Sequence, residues 1–257
     1  MQRTLLDRIN GYRAMRVRQR SRHDAALRDM PAGLEMHWQR TAHLEFEGIP
    51  KDAFFFARAS EGLLDFFACV RDSGKRCALP SKAADSVWHA WIGMAPYGLD
   101  AFCQKHFGRC IAHVEGASMA AQLDAALANC LVQARRYERI PAAGPAVPRL
   151  FGLDRLLRMP GGYAYTAENG RLGLTRLNRH GQPGGPMQFP AALSGYGLLG
   201  AGLISAADYH ELERKTEWSG ASCGAGAAPS RGDGDAGAGG NGGDGGGCGS
   251  GCGGAGG

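Results

Sequence analysis

The distribution of glycine constrains this chain more than any other feature. Nineteen of its 41 glycines lie between Gly220 and Gly257. Glycine has the most backbone freedom to lose and no side chain to bury, so such a stretch cannot offset its own ordering entropy. The tail 218–257 is therefore expected to be disordered, and any core must come from the residues before it. Those residues are richer in apolar groups than the overall 44%, and they are numerous enough to bury a proper core. Cys248 and Cys252 stand in a C-x-x-x-C arrangement with no histidine nearby. Ordering such flexible loops would consume much of a metal's binding energy, so a flexible, redox-sensitive tether is expected there.

Before Ile140 the apolar residues recur at helical spacing. Leu5, Ile9 and Tyr12 mark a first helix, with its arginines largely on the other side. A second, over 32–47, ends at Gly48 before Pro50. Asp52 caps a third, where Phe55, Ala59, Leu63, Phe66, Phe67 and Val70 fit the 3.6 period and Gly74 stops it. A fourth enters at Pro80-Ser81 and buries Ala84, Val87, Trp88, Trp91 and Ile92. Pro96 separates it from a fifth, with Leu99, Phe102, Cys103 and His106 on one side and Gly108 at its end. A sixth starts at Ser118 and closes on Arg135, Arg136 and Arg139, the favourable sign for a helix C-terminus.

"IPAAGPAVP" then breaks the pattern. Tyr163 and Tyr165 alternate into an Asn169-Gly170 turn followed by Leu172 and Leu174, a hairpin signal. Ser205 precedes Asp208 by three residues and starts a short helix. The fold class is thus mainly α. A basic amphipathic N-terminal helix (1–28) leads into a helical domain (29–140). A linker (141–148), a small α+β module with a hairpin (149–217) and the disordered Gly/Cys-rich tail follow.

The net charge of +5 is concentrated at the front, where Arg3, Arg8, Arg13, Arg16, Arg18, Arg20, Arg22 and Arg28 face only Asp7 and Asp24. Such a run suits an anionic surface, a nucleic acid or an acidic protein; a solvated helix is the plainer account. The arginines interrupt any secretory apolar region. The longest uncharged stretch, 182–207, carries three prolines and several glycines, so no transmembrane span is expected. Eight dispersed cysteines without disulfide-framework spacing fit a reducing cytoplasm. No phosphate-binding loop is present in "GAGL" or "GQPGG". Tyr163 and Tyr165 lie beside Arg171 and Arg176, as base-stacking residues do, but a ribbon packing its aromatics on its own helix is favoured.

Chemistry concentrates in "SVWHAWIGMAPYGLDAFCQKHFGRCIAH", Ser86 to His113. His89 lies at the edge of the fourth helix's apolar stripe. Asp85, one turn earlier, is placed to fix its tautomer. If the fourth and fifth helices fold back on each other, Cys103 faces His89 with His106 or His113 nearby. Two chemistries follow. Zinc would take His89, Cys103 and one of His106, His113 or Cys77. A thiol enzyme would use Cys103 as nucleophile and His89 as base, oriented by Asp85. Neither the C-x-x-C nor the H-x-x-x-H spacing is present, and the apolar companions Leu99 and Phe102 make a thiol inert. A packed core with a hydrogen-bonded histidine is the plainer reading, with Trp88 and Trp91 as core.

"LPSKAADSVWHAWIGMAPYGLDAFCQKHFGRCIAH" resembles the glycine-rich domain protein family, over roughly residues 31–140. Asp85, Trp88, His89, Tyr97, Cys103, Gly108 and His113 occupy the places of its signature. Members often have a second histidine two residues after the first, where this chain has Trp91. The resemblance implies a helical domain with Trp88, Tyr97 and Gly108 as packing residues, and it implies no established reaction. The expected function is a non-enzymatic binding or scaffold role, the helical domain meeting a protein partner. The alternative is a metal-dependent or thiol activity centred on His89 and Cys103, with zinc as the cofactor.

Overall fold

The computed structural model describes residues 4–114 and 122–220, and the fold is mainly α with one hairpin. Helix α1 (Leu5–Arg20) opens on a reciprocal cap: Thr4 Oγ1 accepts the Asp7 amide and the Asp7 carboxylate accepts the Thr4 amide. Short α2 (Asp24–Asp29) and α3 (Leu34–Glu45) follow. Helix α4 (Ala53–Ser73) is buried along most of its length, with α1, α5, α7 and α8 packed around it. Asp52 caps it by accepting the Phe54 and Phe55 amides, and Gly74 ends it at φ +60°. Its buried carboxylates are paired: Asp65 with His23 at 3.0 Å and Arg22 at 3.5 Å, Glu61 with Arg58 at 2.6 Å.

Ser81 caps α5 (Lys82–Met94), and Pro96 opens α6 (Pro96–Phe107), where its missing N–H costs nothing. Helix α7 (Leu123–Tyr137) follows; its expected start at Ser118 lies outside the described residues. Then come α8 (Arg149–Leu157) and the antiparallel strands β1 (Tyr163–Glu168) and β2 (Arg171–Arg176). The register pairs Tyr163 with Arg176 and Glu168 with Arg171. Asn169 and Gly170 both take positive φ, as the two-residue turn between them requires. A 3-10 turn (Ala191–Leu193), α9 (Gly195–Gly200) and α10 (Ala206–Gly220) complete the described chain. Ser205 and Asp208 form the expected capping pair. The expectation for the Gly/Cys-rich tail falls, beyond Gly220, outside the described residues.

One continuous apolar core takes in α3 to α8, the hairpin and α10, with Trp38, Trp91, Phe55, Phe67 and Phe151 fully enclosed. The segment 141–148 divides the secondary structure without dividing this core. Arg135, 3% exposed, donates to the carbonyls of Ala142, Gly144 and Ala146 at 2.9, 2.6 and 3.3 Å, so a buried guanidinium holds the segment in place.

Two packing expectations are corrected. In α1 the residues facing inward are Ala14 and Val17, against Ala57 of α4, while Leu5 (75% exposed), Ile9 and Tyr12 face outward. Small side chains let the helices approach closely, and the Arg13 guanidinium covers the Phe54 ring at 3.7 Å. Tyr97 is no packing residue: in the first turn of α6 it stands 89% exposed.

Candidate metal centre

The site is built on α5, and Asp154 of α8 anchors the start of that helix. Asp154 accepts the Ser81 hydroxyl at 2.6 Å and the amides of Lys82, Ala83 and Tyr163 at 3.0, 2.9 and 3.0 Å. One carboxylate thereby ties α5, α8 and β1 together. Burial pushes its carboxyl above the ordinary range, while those four donors pull it back.

Along α5, Lys82, Asp85 and His89 fall at i, i+3 and i+7, on one face. The irregular chain after α6 brings His113 back to that face. Its Nε2 lies 3.0 Å from Asp85 Oδ1, and the same carboxylate oxygen is 3.6 Å from His89 Nε2. The two imidazoles meet edge to face with centroids 4.7 Å apart, and Trp88 meets His113 likewise at 4.5 Å. One ligand atom from each of Asp85, His89 and His113 lies within 4.8 Å of the others. A tetrahedral ion with bonds of about 2.1 Å needs ligand separations of about 3.4 Å. The two carboxylate–imidazole distances bracket that value.

His89 Nδ1 hydrogen-bonds the carboxylate of Glu45 at the end of α3, which leaves Nε2 turned toward Asp85 and His113. All three candidate ligands are half-buried, on the wall of a cavity of about 1590 Å³ shared by Trp88, Tyr163 and Phe189.

The remaining candidate residues do not join them. Cys103 is fully buried in α6, and burial, aided by Asp100, pushes its thiol up to about 12. Among the described residues no metal-ligand group includes it. The group that does form among the described residues joins His113 with His89 and Asp85. His106 donates to Asp29 at 2.9 Å, beside the Lys105–Asp29 pair. Cys77 lines the cavity, but it belongs with Cys69 and Cys130: hydrogen bonding from Cys130 lowers its thiol, and burial pushes Cys130 up. Trp88 is buried as expected, and Gly108 closes α6 at φ +71°. Tyr165 packs on Phe151 with centroids 4.9 Å apart, and both Tyr163 and Tyr165 line the cavity.

Sequence reasoning missed Glu45 and Asp154. Glu45 sits 44 positions from its histidine, beyond any local spacing signal. Asp154 did carry one, since it interrupts the apolar stripe Leu150, Phe151, Leu153, Leu157 of α8.

A model of the UCP032817-like family matches residues 54–181. The family is uncharacterised, and the glycine-rich signature finds no support in the match. The matched residues include Asp85, His89, His113, Asp154 and the hairpin; Glu45 lies before them. No curated protein and no solved structure matches the chain significantly.

Proposed function

We propose that this protein binds one divalent transition-metal ion through Asp85, His89 and His113, with a coordination position open toward the cavity. The observation that carries this reading is the convergence of three ligand atoms within 4.8 Å on a cavity wall. Two imidazoles and a carboxylate form a donor set that suits zinc, and three protein ligands leave the fourth place for water or substrate. An ion so held polarises a bound oxygen and makes water a nucleophile at neutral pH, which is the chemistry of metal-assisted hydrolysis or hydration. Glu45 orients His89 from behind. Cys103 is left out of this reading: it does not belong to the ligand group, and burial pushes its thiol up to about 12, away from the thiolate that a nucleophile needs.

The test is metal content of the purified full-length chain and of its His89→Ala and His113→Ala variants, with the cobalt(II) spectrum as the second readout. The expected result is one ion per chain, lost in either variant, without the charge-transfer absorption that thiolate ligation gives. Equal metal content in wild type and variants, or a thiolate spectrum, would overturn the reading.

A second reading keeps the binding role, now at an anionic lipid surface. It is favoured by the outward face of α1, where Leu5, Ile9 and Tyr12 are exposed among Arg8, Arg16 and Arg20. No described helix is long and apolar enough to cross a membrane.

A further inference from the structure

The cavity beside Asp85, His89 and His113 carries a marked excess of positive charge. Lys75, Arg76, Lys82, Arg109 and Arg176 line it, against the carboxylates of Asp85 and Asp124. Among the described residues none of these five cations makes a salt bridge: Arg76 donates to the neutral Gln122 amide oxygen at 3.3 Å, and Lys82 and Arg176 lie 5.9 and 5.8 Å from the Tyr163 ring. Structural arginines elsewhere in this protein do find carboxylates, as Arg58 and Arg149 do with Glu61. The cavity's cations have been left without them.

We propose that the cavity takes a small phosphate monoester, its phosphate directed at Lys82 and Arg176 and its organic body lying on Tyr163 and Phe189. The proposal rests on the reading of Asp85, His89 and His113 as a metal centre, and it names the class of molecule presented to that ion. Lys82 stands one turn before Asp85 on the same face of α5, and both residues line the cavity. Arg176 is the register partner of Tyr163 across the hairpin, which sets a second cation against the same ring. The charge count decides for phosphate over carboxylate. A carboxylate has one negative charge and two oxygens, and a single arginine fork satisfies it. Several cations around one cavity match a dianion with three terminal oxygens. Tyr163, Phe189 and Trp88 supply the apolar lining that small-molecule sites share.

Calorimetric titration of phenyl phosphate into the full-length chain, with and without one equivalent of zinc, tests this. Phenol, benzoate and inorganic phosphate serve as the comparison ligands. Phenyl phosphate is expected to bind one per chain, tighter than any of the three. Lys82→Met and Arg176→Met are expected to weaken it about 10-fold each, with zinc content unchanged and Lys82→Arg restoring most of the affinity. Phenyl phosphate binding no tighter than phenol or benzoate would overturn the proposal, as would unchanged affinity in both methionine variants. Zinc uptake without phenyl phosphate binding removes this inference and leaves the metal reading standing. Lys82-dependent phenyl phosphate binding in a chain that takes up no zinc removes the metal reading instead.

Discussion

The Asp85 carboxylate reaches His113 Nε2 at 3.0 Å across 28 residues of sequence, and the same oxygen faces His89 Nε2 at 3.6 Å. The first of these contacts is a hydrogen bond, and the second lies just beyond hydrogen-bond reach. An ion entering between the three takes the Nε2 lone pairs, so zinc competes with protons for the imidazoles and its uptake weakens on acidification. Titrating zinc into the protein at several pH values measures that competition. Zinc affinity unchanged between about pH 7.5 and about pH 5.5 would show that the imidazoles do not hold the ion.

Glu45 and Asp85 both touch His89, yet they are expected to behave differently when altered. Asp85→Ala removes a ligand and should abolish stoichiometric binding. Glu45→Gln removes only the carboxylate behind the ring, and loss of such an outer partner costs about 10- to 100-fold in affinity with stoichiometry kept. Competition against a chromophoric chelator separates the outcomes. Wild-type affinity in Glu45→Gln would reduce the Glu45–His89 contact to a surface ion pair.

How far the sequence reached can be read in these residues. Helices α3 to α6 and the hairpin were legible because their caps and stops are local: Asp52, Ser81, Pro96, Gly74, Gly108 and Asn169-Gly170 act on neighbours within four positions. The inward face of α1 was not legible, since two small residues, Ala14 and Val17, outweigh three larger ones when a partner helix must come close. Asp85, His89 and His113 stand out in the sequence as residue types in one segment. Their geometry, however, depends on an irregular return after α6, which has no periodicity to read. Cys103 was drawn into the site by its position in the segment; its place on the apolar side of α6 was the better guide.

Cys103 should be silent toward alkylation while Cys110 reacts. With its thiol pushed up to about 12 by burial, roughly one molecule in ten thousand carries the thiolate at pH 8, whereas Cys110 is exposed. Peptide mapping after brief iodoacetamide treatment of the native chain reads both sites. The shift also fixes a stability trend. The folded state keeps the Cys103 proton while the unfolded chain loses it near 9, so folding becomes less favourable as pH rises from about 9 toward 12. Burial pushes Cys130 and Tyr165 in the same direction. The melting temperature should fall across that window, less steeply in Cys103→Ala. Rapid modification of Cys103 in the folded protein would contradict the burial on which both expectations stand.

Asp154 is the residue whose loss should cost the fold most for its size. Removing its carboxylate strands one buried amide, two part-buried amides and the buried Ser81 hydroxyl, and breaking a buried charge-assisted network costs about 3–5 kcal/mol. Asp154→Asn is expected to recover little, because its NH₂ group would point a donor at donors. Gly162 tests the same spot from the other side: a Cβ there would meet Asp154 Oδ2 at 2.6 Å. Chemical denaturation of Asp154→Ala, Asp154→Asn and Gly162→Ala measures all three. Zinc affinity should fall alongside stability, since Asp154 sets the start of the helix that carries Asp85 and His89. A stable Asp154→Ala protein would mean that water replaces the carboxylate.

The outward face of α1 makes its own prediction. Leu5, Ile9 and Tyr12 have no partner in the core, and Arg8, Arg16 and Arg20 fall within about a quarter of a helical turn of them. Arginines at a lipid surface contribute about 1 kcal/mol each when the leaflet is anionic, and this attraction fades as salt shortens its range. The full-length chain should therefore sediment with vesicles containing phosphatidylserine and stay in solution with pure phosphatidylcholine. Replacing Arg8, Arg16 and Arg20 together by glutamine should release it, and the Leu5→Ser/Ile9→Ser double variant should weaken it without altering the salt dependence. None of these residues lies in the α1–α4 contact formed by Ala14, Val17 and Ala57, so the variants leave the fold intact. Sedimentation with neither kind of vesicle would leave this face as a solvated helix that happens to be rich in arginine, and equal sedimentation with both would take the arginines out of the reading.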